Sequence, residues 1–294
     1  MIAPEAPASS NRGRLLVAAA ALLWSSGGLA IKLVPLSGLG VAFWRSFVSA
    51  IFLLLVFRPS RARWRHAKPS TVAVYALMIL TFVSATKMTT AANAIFLQYT
   101  GPLYVLGLAP FLLKERFRKI DAAAVGVALA GMSLFFVGRL DPGALLGNFV
   151  AVLSGLFFGL TVLLLRRDAS GDAIPSVIAG NLAAAALAFP FARGNLALDG
   201  RGLLLVVFLG VVQMGISYVL FVKGLKTVPA TEASLIGMLE PMFNPLWAFI
   251  GLGERPTPWA LLGGAIVLVA VAGRTVLGAR AGEASAAVTP PSPD

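Results

Sequence analysis

Residues 239–245 read LEPMFNP, between PATEASLIGM (229–238) and LWAFIGL (246–252), two flanks that are almost wholly apolar. A carboxylate, an amide and two prolines in such a stretch need an explanation. Displacing the chain against itself by 139 positions supplies one. Pro102 then falls on Pro241, Glu115-Arg116 on Glu254-Arg255, Lys87 on Lys226 and Phe82-Val83 on Phe221-Val222, with no gap from 82 to 116. Alanine and leucine matches are cheap in a greasy chain, but Pro-x12-Glu-Arg occurring twice in register is not. The sequence therefore reads as an internal duplication.

Composition says what solvent surrounds the two copies. The 294 residues are 58% hydrophobic and only 12% charged, with a mean hydropathy of +0.87. Soluble domains carry about 25% charged residues, so an integral membrane protein is expected. Cysteine is absent and His66 is the single histidine. Thiol chemistry is thereby excluded, and most metal and acid–base catalysis with it; neither a catalytic residue, a metal nor a cofactor is expected.

Runs long enough to cross a bilayer, about 20 apolar residues each, fall at 14–34, 38–58, 70–89, 91–113, 121–138, 145–165, 173–192, 202–222, 230–252 and 257–278. Ten spans place both termini on one side. Seventeen Lys and Arg fall in loops and tails on that side and five on the other, with Lys32 and Arg45 inside spans. By the positive-inside rule both termini are cytoplasmic, in a bacterial-type inner membrane. The net charge of +12 is thus explained without nucleic acid. The expected organisation is a tail at 1–13, a first five-span repeat at 14–138, a second at 145–278 and a disordered tail at 279–294.

Five spans per repeat force the second copy to enter the membrane inverted, the plan of many secondary transporters. Pro102 and Pro241 then lie at the centres of the fourth and ninth spans. Each proline removes the donor that the carbonyl four residues earlier would use. Those carbonyls belong to Gln98 and Gly237, and lipid cannot satisfy them, so both kinks should face protein or a wet cavity. Gly101 and Gly237 join the prolines as candidate gate elements.

These residues carry a likeness to a known family. The five-span unit ending in Ala-x7-Pro-x12-Glu-Arg resembles the EamA domain, the repeating unit of the drug/metabolite transporter superfamily. So does the glycine-rich span that follows (GVALAG at 126–131, GGAIVLVAVAG at 263–273). ALLWSSGGLAIK at 21–32 resembles that domain's first span, and FWRSFVSA at 43–50 its second. Asn181 and Gly155 stand near where Arg45 and Trp24 would be mirrored, so the second half departs there. The resemblance implies an all-α fold of inverted repeats around a midplane cavity and export of amino acids or other small metabolites. Among such exporters the chain looks most like the YddG-type exporters of aromatic amino acids.

Polar residues inside spans are the candidate cavity lining. Glu240 is costly near mid-membrane and could bind a substrate ammonium, carry a proton or fix packing. Arg45 offers a fork suited to a carboxylate, or pairs with Glu240 or a helix end. Trp24, beside Ser25 and Ser26, lies mid-span, where an aromatic can stack on a ligand. Gln98, Tyr99, Gln213, Tyr218 and Asn244 complete the set, each with interhelical hydrogen bonding as the bland alternative. Lys32 is expected to snorkel, Glu232 to reach the cytoplasmic interface, and Gly155-x3-Gly159 to be a packing motif. The fifth and tenth spans read as perimeter helices, compatible with a monomer or weak homodimer.

No Gly-x4-Gly-Lys-Ser/Thr motif occurs, so transport would be driven by a gradient, with proton coupling left open. A passive channel would need more polar span residues. An intramembrane enzyme would need a nucleophile–base pair, and a nucleotide-sugar carrier several buried cations for phosphate. A drug carrier of the same superfamily remains an alternative.

Overall fold

A computed structural model describes residues 7–134, 137, 145–252 and 257–287, and among these it is helical with no strand. Helices α1 (Pro7–Trp24) and α2 (Gly27–Leu33) form one interrupted rod, followed by α3 (Gly38–Phe57), a short α4 (Arg61–Trp64) and α5 (Pro69–Met88). A second interrupted pair, α6 (Ala91–Gln98) and α7 (Gly101–Leu112), leads to α8 (Lys119–Leu134). Then come α9 (Leu145–Asp168), α10 (Ile174–Ala192) and α11 (Gly200–Phe208). A π-helix at Leu209–Ile216 joins α11 to α12 (Ser217–Leu225). The third interrupted pair is α13 (Ala230–Gly237) and α14 (Leu239–Leu252), and α15 (Pro258–Ala287) closes the chain.

Seven of these segments are long and apolar enough to cross a bilayer: 11–33, 38–57, 69–88, 93–112, 145–168, 174–192 and 200–225. They coincide with the first four and the sixth to eighth expected spans. A shorter apolar stretch lies at Leu261–Leu277. Their outward faces carry large apolar side chains in the open, Phe111, Phe191 and Leu204 among them. Such a surface is unsuited to water and suited to lipid.

Local chemistry sets the helix ends. Thr90 caps α6 through the Asn93 N–H at 3.0 Å, and Asp199 caps α11 through the Gly202 N–H at 2.6 Å, relieving donors that lack intrahelical partners. Lys32 is exposed in the last turn of α2 and its Nζ donates to the Thr89 carbonyl at 2.7 Å, while Lys87 donates to the Val34 carbonyl at 2.7 Å. Each lysine thus closes the C-terminal end of the other's helix, where the dipole favours a cation.

Helix α5 packs at the centre against α9, α10 and α3, while α8 and α15 pair together. These two helices correspond to the small-residue fifth and tenth spans, whose pairing with each other the sequence did not announce. A Cβ on Gly131 would stand 3.0 Å from the Gly263 carbonyl, so the two backbones approach closely. The last helix runs to Ala287, beyond the expected span end at 278, so the tail read as disordered from 279 is helical that far. Glu254 and Arg255, which anchor the repeat in sequence, lie outside the described residues, as do the loop at 138–144 and residues 288–294.

Glu232 does not reach solvent: it is buried, and it joins Arg14 at 2.7 Å and Arg274, which in turn holds Asp121 at 2.8 Å. These four alternating charges tie α1, α13, α15 and α8. Nearby, Glu115 accepts from Arg166 Nε at 2.9 Å and from the Ala230 N–H at 2.9 Å, capping α13. Arg166 also donates to the Leu225 carbonyl at the end of α12.

Candidate functional site

Four irregularities in the helices point inward. The α1–α2 break falls at Ser25-Ser26, the α6–α7 break at Tyr99-Thr100 and the α13–α14 break at Met238, and the π-helix spans Leu209–Ile216. Pro102 sits buried in the first turn of α7, and Pro241 is buried in the first turn of α14. The prolines therefore separate helices where the sequence led us to expect kinks. A proline in the first turn costs its own helix no hydrogen bond, but it offers no N–H to the last carbonyls of the helix before it.

The first break is seated on α9 by glycines. A Cβ on Gly155 would lie 2.9 Å from the Gln98 carbonyl and 2.4 Å from Thr100 Oγ1, and one on Gly159 would lie 2.7 Å from the Gly101 carbonyl. Gly101 in turn faces Phe158, whose ring would meet its Cβ at 2.7 Å. Gly155-x3-Gly159 is thus the bed on which the broken fourth span rests, more than a generic packing motif. Gly237 ends α13 without such crowding.

Between these elements lies a small cavity of about 30 Å³. Trp24 enters from α1, Arg45 from α3, Met78, Ile79 and Phe82 from α5, and Gln98 from α6. Phe158 enters from α9, Gln213 and Met214 from the π-helix, Tyr218 from α12 and Glu240 from α14. A π-helix widens the turn and breaks the ordinary 3.6-residue register, a deformation common at functional sites. Here it presents both Gln213 and Met214 to one cavity.

The walls are aromatic. Trp24 meets Tyr218 at 5.0 Å, Phe221 at 4.9 Å and Phe158 edge-on at 6.3 Å between ring centroids, and Tyr75 meets Tyr218 at 4.8 Å. Against these walls stand polar atoms with no hydrogen-bond partner among the described residues: Trp24 Nε1, Arg45 Nε and Nη1, and Gln213 Oε1. Buried polar groups are rarely left so. Arg45 is 3% exposed and its remaining nitrogen, Nη2, contacts the Met214 sulfur. Among the described residues no carboxylate pairs with it, which removes both structural partners considered for it, Glu240 and a helix end. Glu240 instead meets the Tyr99 hydroxyl at 2.7 Å.

Six of the residues singled out in the sequence therefore line one cavity: Trp24, Arg45, Gln98, Gln213, Tyr218 and Glu240. Tyr99 stands behind Glu240 and also reaches the Gly237 carbonyl at 2.7 Å. Ser26 is not part of the lining; its hydroxyl donates to the Leu23 carbonyl at 2.8 Å and stabilises the α1 end. Ser25 accepts from Trp247 Nε1 at 2.7 Å, tying α14 to the same break. The side chain of Asn244 lies outside the described residues. Met78, Ile79, Phe82, Phe158 and Met214 were missed, because apolar residues in an apolar span carry no mark of which face is inward.

Comparison with known proteins agrees with this architecture. The EamA-like transporter family matches residues 11–137 and again 145–275. An uncharacterised protein of Pseudomonas aeruginosa is 30% identical over 286 residues, covering 88% of this chain and 96% of its own length. An uncharacterised transporter of Archaeoglobus fulgidus is 27% identical over 265 residues, 88% of this chain and 94% of its own. The uncharacterised transporter YwfM of Bacillus subtilis is 26% identical, over 87% and 90% respectively. A protein crystal structure superposes with a TM-score of 0.76 at 21% identity, over 92% of this chain and 99% of that one. The chain belongs to the EamA-like transporter family.

Proposed function

We propose that this EamA-family membrane transporter is a secondary carrier that exports small zwitterionic metabolites, most readily neutral amino acids with apolar or aromatic side chains. One observation carries this. A single aromatic-walled cavity holds a buried cation and a buried carboxyl that are not paired with each other. Two separated opposite charges suit a ligand that brings both an ammonium and a carboxylate. Arg45 Nε and Nη1 are free to take the carboxylate as a fork. Glu240 takes the ammonium, and Trp24, Tyr218 and Phe158 cover the side chain. Mostly apolar walls with a few converging polar groups are the usual make-up of a small-molecule site.

Transport proceeds by alternating access between two inverted five-span repeats, with both termini in the cytoplasm of a bacterial-type inner membrane. The separate family matches at 11–137 and 145–275 support the two-unit plan. The breaks at Tyr99-Thr100 and Met238 act as the gate, with Gly101, Pro102, Gly237 and Pro241 as its hinges. The ladder Arg14–Glu232–Arg274–Asp121 closes the cytoplasmic end and must part for substrate to enter from that side. A gradient supplies the work, since no nucleotide-binding loop is present in the sequence.

Uptake of labelled amino acids into vesicles holding the purified chain tests the proposal. Saturable, unlabelled-substrate-accelerated uptake of neutral amino acids is expected. Transport of nucleotide sugars or cationic drugs instead, with amino acids left outside, would overturn it.

A further inference from the structure

The Tyr99 hydroxyl lies 2.7 Å from two acceptors, the Gly237 carbonyl and Glu240 Oε2. A phenol has one proton and can donate to only one of them. Gly237 is the last residue of α13, and Pro241, four positions on in α14, has no N–H to offer its carbonyl. It is buried beside the α13–α14 break, where no bulk water can replace that donor.

Counting hydrogens gives two arrangements. With Glu240 neutral, its O–H donates to Tyr99 Oη and Tyr99 donates to Gly237, so all three groups are satisfied. With Glu240 ionised, Tyr99 turns its proton to the carboxylate, because a charge-assisted bond is the stronger, and the Gly237 carbonyl is left bare. We infer that Glu240, Tyr99 and the Gly237 carbonyl form a proton-operated latch on the break in the ninth span. The proton and the ammonium of the cargo take turns on Glu240. This rests on the carrier reading of the same cavity and makes the chain a proton antiporter.

The sequence of events balances. A proton from the outside water binds Glu240 and the latch closes across the break. On the cytoplasmic side that proton leaves to water, a cargo ammonium takes the carboxylate, and Tyr99 swings from the Gly237 carbonyl to Glu240. The bare carbonyl then frees the break to bend. The other ionisable groups facing Glu240 are Arg45 from α3 and Tyr218 from α12. Helices α1, α2 and α15 also pack on α14; Arg12 of α1 is exposed, and the other charges among their described side chains are engaged elsewhere. Arg14 and Arg274 are bound to Glu232, and Lys32 to the Thr89 carbonyl. Glu232 stands on α13 with its charge held by those two arginines.

Two measurements separate this latch from the carrier reading. The first needs no cargo: difference infrared spectroscopy of the purified full chain through an acid titration. A protonated-carboxyl band is expected that vanishes in Glu240→Gln and moves in frequency in Tyr99→Phe, where its hydrogen-bond partner is gone. No such band, or a band indifferent to Tyr99→Phe, overturns the latch. The second uses vesicles containing a pH-sensitive dye, with L-leucine and L-tryptophan as cargo. One proton per amino acid is expected in the opposite direction, since one carboxylate holds one cation at a time. Pro241→Ala offers the Gly237 carbonyl an N–H of its own, so the break no longer answers to the proton on Glu240, the carrier slips, and the ratio should fall toward zero. This variant decides the matter equally well should Tyr99→Phe fail to fold. Amino-acid movement with no proton flux, or an unchanged ratio in Pro241→Ala, overturns the latch and leaves the carrier standing. No amino-acid movement beside a Tyr99-sensitive band overturns the carrier and with it the antiport, and leaves only the hydrogen-bond latch.

Discussion

Arg45→Met should weaken cargo binding and strengthen the fold, and these opposite signs separate a binding arginine from a structural one. Arg45 is buried, and among the described residues Nε and Nη1 have no partner while the Met214 sulfur lies against Nη2. A carboxylate accepting from both free nitrogens makes two charged hydrogen bonds, each worth about 1.5–3 kcal/mol. Losing both removes about 3 kcal/mol or more, a hundredfold or greater rise in Kd at about 1.4 kcal/mol per decade. In the empty protein the same guanidinium is a buried charge with no ion partner, and methionine of similar length relieves that burden. A gain of about 1 kcal/mol corresponds to an apparent Tm higher by about 2–4 °C in a chain of this size. Equilibrium binding of labelled L-leucine and a thermal melt in the same detergent read both quantities. An affinity within threefold of the parent, or a lower melting temperature, would make Arg45 a structural residue instead.

Three other outcomes follow from the geometry. Arg274→Ala leaves Asp121 buried without its cation while Glu232 keeps Arg14, and breaking such a pair costs about 3–5 kcal/mol. A markedly lower melting temperature and faster labelling of cysteines placed at the cytoplasmic end are expected, and unchanged labelling would count against the ladder as a gate. Gly155→Leu drives a side chain into the Gln98 carbonyl and Thr100. It should destabilise by about 1–3 kcal/mol and slow transport, whereas wild-type melting would show that the break is not seated there. Trp24→Ala removes the ring that meets Tyr218, Phe221 and Phe158. Aromatic contacts are worth about 0.5–1.5 kcal/mol beyond buried area, so affinity for L-tryptophan should drop more than that for L-alanine in a competition assay.

How far the sequence could be read depended on how rare each signal is in lipid. Arg45 and Glu240 were visible because a charge inside an apolar run is expensive and must have a use. The prolines were visible because their spacing repeats. The location of both helix breaks followed, although the structure divides each span into two helices where a kink was expected. Met78, Ile79 and Phe82 were invisible, since a span that is apolar all round has no amphipathic face to betray its inward side. The π-helix at Leu209–Ile216 leaves no local mark either. The ion pairing of Glu232 was invisible for another reason: its partner Arg14 is 218 positions away, and no spacing rule connects them.

The proposed carrier stands on one cavity that offers Arg45 to a carboxylate and Glu240 to an ammonium of the same small molecule. Competition binding with an amino acid, its methyl ester and its N-acetyl derivative probes both ends of that molecule at once. Masking either charge should weaken binding at least about tenfold, the value of one charged hydrogen bond. Arg45→Met should erase the penalty for the ester while keeping that for the acetyl derivative. Equal binding of all three by the parent protein would show that neither charge is read.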